Sequence, residues 1–137
     1  MYCNQCEETI GSACTKGGAC GKSEELAKYD DQLLLLVKGI AYLCQEGSTK
    51  EINDFITKNL FASLTNVNFN EEYFKGMIIK GIEMREKLVS GLGDKTEGLP
   101  YAVTISSDEL NKVDFMELRH ENKDLQSLRE ILLYGMK

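Results

Sequence analysis

Apolar residues recur at helical spacing in three long runs of this chain. The first joins Leu33, Leu36, Val37, Ile40, Ala41 and Cys44 in one stripe. Ser23 followed by Glu24 and Glu25 marks the start of this helix, a capping hydroxyl and then carboxylates at the positive end of the dipole. Gly47 is the expected stop. Leu34 and Leu35 carry apolarity beyond the stripe, so the helix is expected between other elements. A second helix is predicted over about Lys50 to Leu64, with Ile52, Phe55, Ile56 and Leu60 inward. Residues 65–70 are polar and turn-like. Asn70 then caps a third helix whose inward set is Tyr73, Phe74, Met77, Ile78, Gly81, Ile82, Leu88 and Val89, with Arg85 in part. Gly91 and Gly93 end it. Short links between three such helices predict an antiparallel three-helix bundle over 23–93.

Residues 94–137 are less regular. Gly98-Leu99-Pro100 breaks the chain, and Tyr101 to Ile105 reads as a short strand or an extended tether. Ser107 is the expected cap of a short helix through Asp108, Leu110, Val113, Phe115, Met116 and Leu118. A last helix covers about Leu125 to Met136, its face formed by Leu125, Leu128, Ile131, Leu132 and Met136. The sequence runs out inside that amphipathic pattern, which sets up an expectation of a packing partner. The candidates are a later part of a longer chain, a second subunit and the earlier bundle. No internal repeat is present. The expected fold class is therefore all-α and one structural domain. A Cys-rich loop (1–22) precedes the bundle, and an irregular connector with a further helix (94–137) follows it.

Composition narrows the function classes. With 137 residues, 42% hydrophobic, and one proline, the chain suits a single globular helical domain. No apolar run approaches the roughly 20 residues that span a bilayer, so no membrane role is expected. The net charge of −6 comes with lysines interleaved among Asp and Glu, which leaves no basic face for nucleic acid. An acidic surface is compatible with a redox donor protein carrying a basic patch, but it is first of all the ordinary state of a soluble bacterial-type protein. The start, Met1-Tyr2-Cys3-Asn4-Gln5-Cys6, has neither a basic nor an apolar signal region, so a cytoplasmic location is expected.

Candidate chemistry is concentrated in Cys3, Cys6, Cys14 and Cys20, spaced C-x2-C-x7-C-x5-C in a loop with Gly11, Gly17 and Gly18. Disulfides need an oxidising compartment and rank third. Few large apolar side chains lie in residues 1–22, and ordering a loop costs roughly 1–2 kcal/mol per residue. Bound metal offsets such a cost; a structural zinc contributes on the order of 10–16 kcal/mol in small peptides. Tetrathiolate zinc prefers two tight knuckles, and the Cys14 to Cys20 interval is wide for one. An iron–sulfur cluster accepts a C-x2-C pair with more remote cysteines and takes backbone N–H bonds on its sulfurs. Gly17, Gly18 and Gly21 allow that approach, and Lys16 and Lys22 offset anionic thiolates. On spacing, iron–sulfur ranks first and zinc second, with both open.

The segments Met1 to Thr9 and Cys14-Thr15-Lys16-Gly17-Gly18-Ala19-Cys20-Gly21-Lys22 resemble the N-terminus of the hybrid-cluster proteins. These are also called prismane proteins or hydroxylamine reductases. The likeness continues in Asp31-Gln32-Leu33-Leu34, Lys38-Gly39-Ile40-Ala41, Phe61 to Phe69 and Leu128 to Lys137, in order along the chain. The resemblance implies that Cys3, Cys6, Cys14 and Cys20 hold a proximal cluster, 4Fe–4S in many members and 2Fe–2S in some. It implies electron transfer to a hybrid cluster that reduces hydroxylamine or, in some members, nitric oxide. It also implies a first domain of two three-helix bundles, of which this chain covers the first and the opening helix of the second. The hybrid-cluster ligands lie in later domains with no counterpart here, so no catalytic residue carries over and the chain alone is not expected to turn over hydroxylamine.

Other candidates read as structure. Cys44 falls on the buried stripe, where unpaired cysteines pack and stay inert. His120 sits between Arg119 and Glu121 as a solvated side chain, and Tyr2 either shields the cysteines or packs on the bundle. The pairs Glu7-Glu8, Glu24-Glu25 and Glu71-Glu72 are surface charge or helix starts, and no phosphate loop is present. The expected function is an electron-relaying iron–sulfur domain. It works with a redox donor and with remaining domains or a partner subunit that carries the second cluster. The alternatives are a stand-alone electron-transfer or sensor module, and a zinc-stapled structural bundle.

Overall fold

The computed structural model describes residues 1–3, 6, 11, 13–93, 97–113 and 122–137. Its helices are α1 (Glu24–Leu43), α2 (Lys50–Ala62), α3 (Glu71–Ser90), α4 (Tyr101–Thr104), α5 (Ser107–Leu110) and α6 (Lys123–Met136). The chain is all-α, a helical bundle with irregular segments. Polar caps start the long helices. Ser23 Oγ accepts the Leu26 N–H at 3.0 Å, Thr49 Oγ1 that of Ile52 at 3.3 Å, and Asn70 Oδ1 that of Glu72 at 3.0 Å. Each satisfies a donor that the first helical turn leaves open.

Helix α1 is the spine, packed against α3, α2 and α4. Leu33, Leu36 and Ile40 are fully buried, with Phe74, Phe55 and Ile78 closing over them. Burying one such side chain stabilises the fold by about 1.5–3 kcal/mol. Leu34 is buried too, as expected of a helix set between other elements. Two glycines let backbones approach. At Gly39 a Cβ would land on the Ala102 carbonyl of α4, and at Gly81 it would press on Phe55 and Leu36. Grooves of about 460 and 540 Å³ run between α2 and α3.

Several expectations are corrected. Helix α1 stops at Leu43 rather than Gly47, because Cys44 leaves helical geometry and the chain continues as turns, with Gly47 N–H bonding the Cys44 carbonyl. Tyr101 to Thr104 is one helical turn and not a strand. Val103 and Thr104 N–H both return to the Pro100 carbonyl, so the backbone closes its own bonds. The alternating burial of Val103 and Ile105 against α1 had the look of a strand. The following helix is capped by Ser106, not Ser107, in a reciprocal box with Glu109, and spans only Ser107–Leu110. Its expected continuation through Phe115, Met116 and Leu118 lies outside the described residues. Arg85 is buried rather than partly so, at 3% exposure.

Helix α6 contradicts one expected partner. Gln126, Glu130, Leu133 and Lys137 are its half-buried positions, and Leu133 alone among its apolar residues packs on the core. Lys137 Nζ donates to the Ser63 carbonyl at 3.1 Å. Leu125, Leu128, Ile131, Leu132 and Met136 point away, 38–68% exposed. The earlier bundle does not cover this stripe.

Candidate metal centre

Backbone hydrogen bonds hold the described residues of the cysteine loop together. Cys3 and Cys14 form an isolated antiparallel bridge, with N–H to O distances of 3.0 and 2.7 Å in the two directions. This brings the first and third cysteines side by side. Ala19 N–H points at Cys14 Sγ, 3.4 Å away, the kind of donor that stabilises a thiolate. Beyond Cys20 the chain doubles back. Gly21 N–H bonds the Gly18 carbonyl at 2.8 Å and Gly18 N–H bonds the Lys22 carbonyl at 3.0 Å. Gly21 does this at φ +89, a conformation that side chains disfavour. At Gly18 a Cβ would meet Lys22 backbone atoms at 2.9–3.0 Å.

Lys22 fixes this hairpin to the bundle. Its side chain is 6% exposed, and its ammonium bonds Oδ2 of Asp30, a fully buried residue of α1. Burial pulls the Lys22 pKa down, but the charge and hydrogen bond of Asp30, joined by Cys3 and Cys20, more than offset this. The net direction is up. Burial pushes the Asp30 carboxyl up, against the attraction of Lys22 and then Lys137.

All four cysteines singled out by spacing are half-buried thiols, and no disulfide forms among the described residues. Among those residues no three His, Cys, Asp or Glu side chains stand close enough together to hold a metal ion as they are. The donor set still fits a thiolate-bound metal group in its chemistry: four thiols within eighteen positions, a backbone donor on Cys14 and a buried cation two positions after Cys20. Lys16 is exposed, so of the two expected lysines only Lys22 is held within the loop. Tyr2 is half-buried. Cys44 caps α1 and packs on the core, where burial pushes its thiol up. His120 lies outside the described residues. Asp30 was missed, although its signal is present. It shares the stripe of Leu26, Leu33 and Val37, and a charge on such a stripe calls for a partner.

A family model described as the Prismane/CO dehydrogenase family matches residues 1–137. The chain belongs to that family. Among similar relatives are the hydroxylamine reductases of Methanocaldococcus jannaschii, 36% identical, and of Methanococcus vannielii and Acetivibrio thermocellus, both 38% identical. Each alignment covers all of this chain but 27–28% of the relative. This family member thus spans little more than a quarter of the length of the curated relatives it matches. No helix among the described residues is long and apolar enough to cross a membrane.

Proposed function

We propose that this chain is the cluster-carrying N-terminal region of a hydroxylamine reductase-type protein. Cys3, Cys6, Cys14 and Cys20 hold an iron–sulfur cluster, 4Fe–4S before 2Fe–2S, which stores and passes on single electrons. The observation that carries the reading is the cysteine loop itself, with its paired Cys3 and Cys14 backbones and the buried Lys22–Asp30 ion pair that ties it to α1. The chain's own residues hold the sulfurs, offset their negative charge and fix the loop on α1. The family match over residues 1–137 and the name shared by its relatives support the reductase assignment.

A redox donor protein supplies the electrons, and a polypeptide equivalent to the rest of the relatives' length receives them at a second cluster. The outward apolar stripe of α6 suits contact with that polypeptide. Thiols that must stay reduced suit the cytoplasm.

The test is iron, acid-labile sulfide and zinc per chain on anaerobically purified protein, with EPR after dithionite. Roughly four irons and four sulfides, and a signal lost in Cys14→Ser, are expected for a cubane. One zinc without sulfide overturns the reading and favours a zinc-stapled bundle.

A further inference from the structure

Arg85 of α3 is a buried cation without a counter-charge. It is 3% exposed, and no ion pair among the described residues includes it. Its hydrogen bond among them is long, from Nη1 to the Ala102 carbonyl at 3.5 Å. A guanidinium has several further N–H donors to satisfy. Buried charges are normally paired, so an arginine kept here only to meet one carbonyl is a costly device. Glu86 follows it on the helix, but adjacent positions on a helix do not face each other. Its Oε1 accepts the Ser107 hydroxyl at 3.1 Å instead. Burial pulls the Arg85 pKa below its ordinary value in spite of Glu86, as it does for a cation that lacks a close partner.

Arg85 lines a pocket of about 570 Å³ between α3 and the segment of α4 and α5. That volume lies in the range of small-molecule sites. Among the described residues, Asp30 Oδ1 is the one sealed side-chain polar atom without a bond. The other Arg85 nitrogens are therefore not sealed off, and this pocket is the space that Arg85 lines. Val89, Leu99 and Val103 give it apolar walls, and the exposed Thr104 hydroxyl is a second donor. None of the lining residues belongs to the cysteine loop. One cation with the Glu86 carboxylate nearby suits a single negative charge better than a phosphate dianion. A carboxylate also matches the flat guanidinium fork with parallel hydrogen bonds.

We infer that this pocket is a carboxylate site: Arg85 takes both oxygens of a monocarboxylate, and the apolar walls take the carbon chain behind it. A free short-chain acid and an acidic side chain of another polypeptide present the same group. The experiment is an NMR titration of the full chain, purified without air, that follows the Arg85 Nε–H signal, assigned by its loss in Arg85→Gln, and the Val103 and Thr104 amides. The probes are sodium butyrate and the blocked tripeptide acetyl-Ala-Glu-Ala-amide, with sodium chloride and sodium phosphate as controls at equal ionic strength. A saturable shift of all three signals with a carboxylate probe is expected, with none from chloride and weaker binding of phosphate. Tighter binding of butyrate assigns a free acid; binding of the tripeptide at least as tight assigns an acidic side chain. At the amides, Arg85→Gln should weaken binding by about tenfold or more, as loss of a charged hydrogen bond does. Ser90→Phe, at an exposed lining position, should block the pocket with the fold retained. If Arg85→Gln fails to fold by circular dichroism, Ser90→Phe decides: unchanged binding overturns the inference. No shift with either carboxylate, an equal shift with chloride, or tighter binding of phosphate overturns it too. Each of these outcomes is separate from the iron and sulfide content that tests the cluster reading.

Discussion

In α1 the apolar positions Leu26, Leu33, Leu36, Val37 and Ile40 are all buried, whereas in α6 Leu125, Leu128, Ile131, Leu132 and Met136 all face solvent. Both helices are amphipathic and both start with a side-chain cap. The difference lies in their surroundings. Helix α1 is enclosed by α2, α3 and α4, and α6 meets the bundle through its more polar side. Periodicity therefore defines a face, and only the rest of the molecule decides what covers it.

Truncations in α1 sharpen the contrast most. Leu36→Ala should cost about 2–5 kcal/mol, as fully buried leucines do. Equilibrium urea unfolding measures it, and a loss below about 1 kcal/mol would mean that α1 is not the spine. Gly39→Ala comes next, because its Cβ meets the Ala102 carbonyl and α4 has to back away. Overpacking of this kind costs about 1–3 kcal/mol, and the same melts should report it. Ser106→Ala removes the cap that seats α5, with Leu110 fully buried beneath it. A lost cap costs about 1 kcal/mol.

The acid side of that cap is separately visible. Backbone and hydroxyl hydrogen bonds from Ser106 hold the Glu109 carboxyl below its ordinary value. The folded pKa is thus depressed, so this contribution is present above the ordinary carboxylate value and lost as pH falls through the folded one. Ser106 amide protection, taken against the intrinsic exchange rate at each pH, should fall in that acid window, and Glu109→Gln should remove that loss. The smallest effect is expected in α6. Leu132→Glu should change the stability of this chain by less than about 0.5 kcal/mol. A larger loss would erase the contrast between the two helices.

Much of the bundle was legible because its instructions are local. Ser23 and Asn70 cap helices at the predicted positions, and Phe55, Phe74 and Ile78 fall inward as their spacing requires. The four cysteines stand out for the same reason, being close in sequence, and the fold pairs the backbones of Cys3 and Cys14. What stayed hidden depends on residues far apart. Val103 and Ile105 alternate like a strand, yet they are buried on and just after a single helical turn that packs on α1. Arg85 is enclosed beside Ala102, which the pattern of α3 alone cannot reveal. The turning of α6 away from the bundle depends on Leu133 and Lys137, not on its strongest apolar stripe.

The buried Gln32 gives the bundle a kinetic signature. Its amide donates to the Leu110 carbonyl, 78 positions along the chain, a wider separation than that between α1 and its main packing partner α3. Loop closure grows only slowly with length, by about 0.6 kcal/mol per doubling, so the distant strap weighs little at equilibrium. Its cost is in time. Long-range contacts slow the search, so the seating of Leu110 on α1 is expected to follow the packing of α1 on α3, an order that folding-rate effects of Leu110→Ala would check.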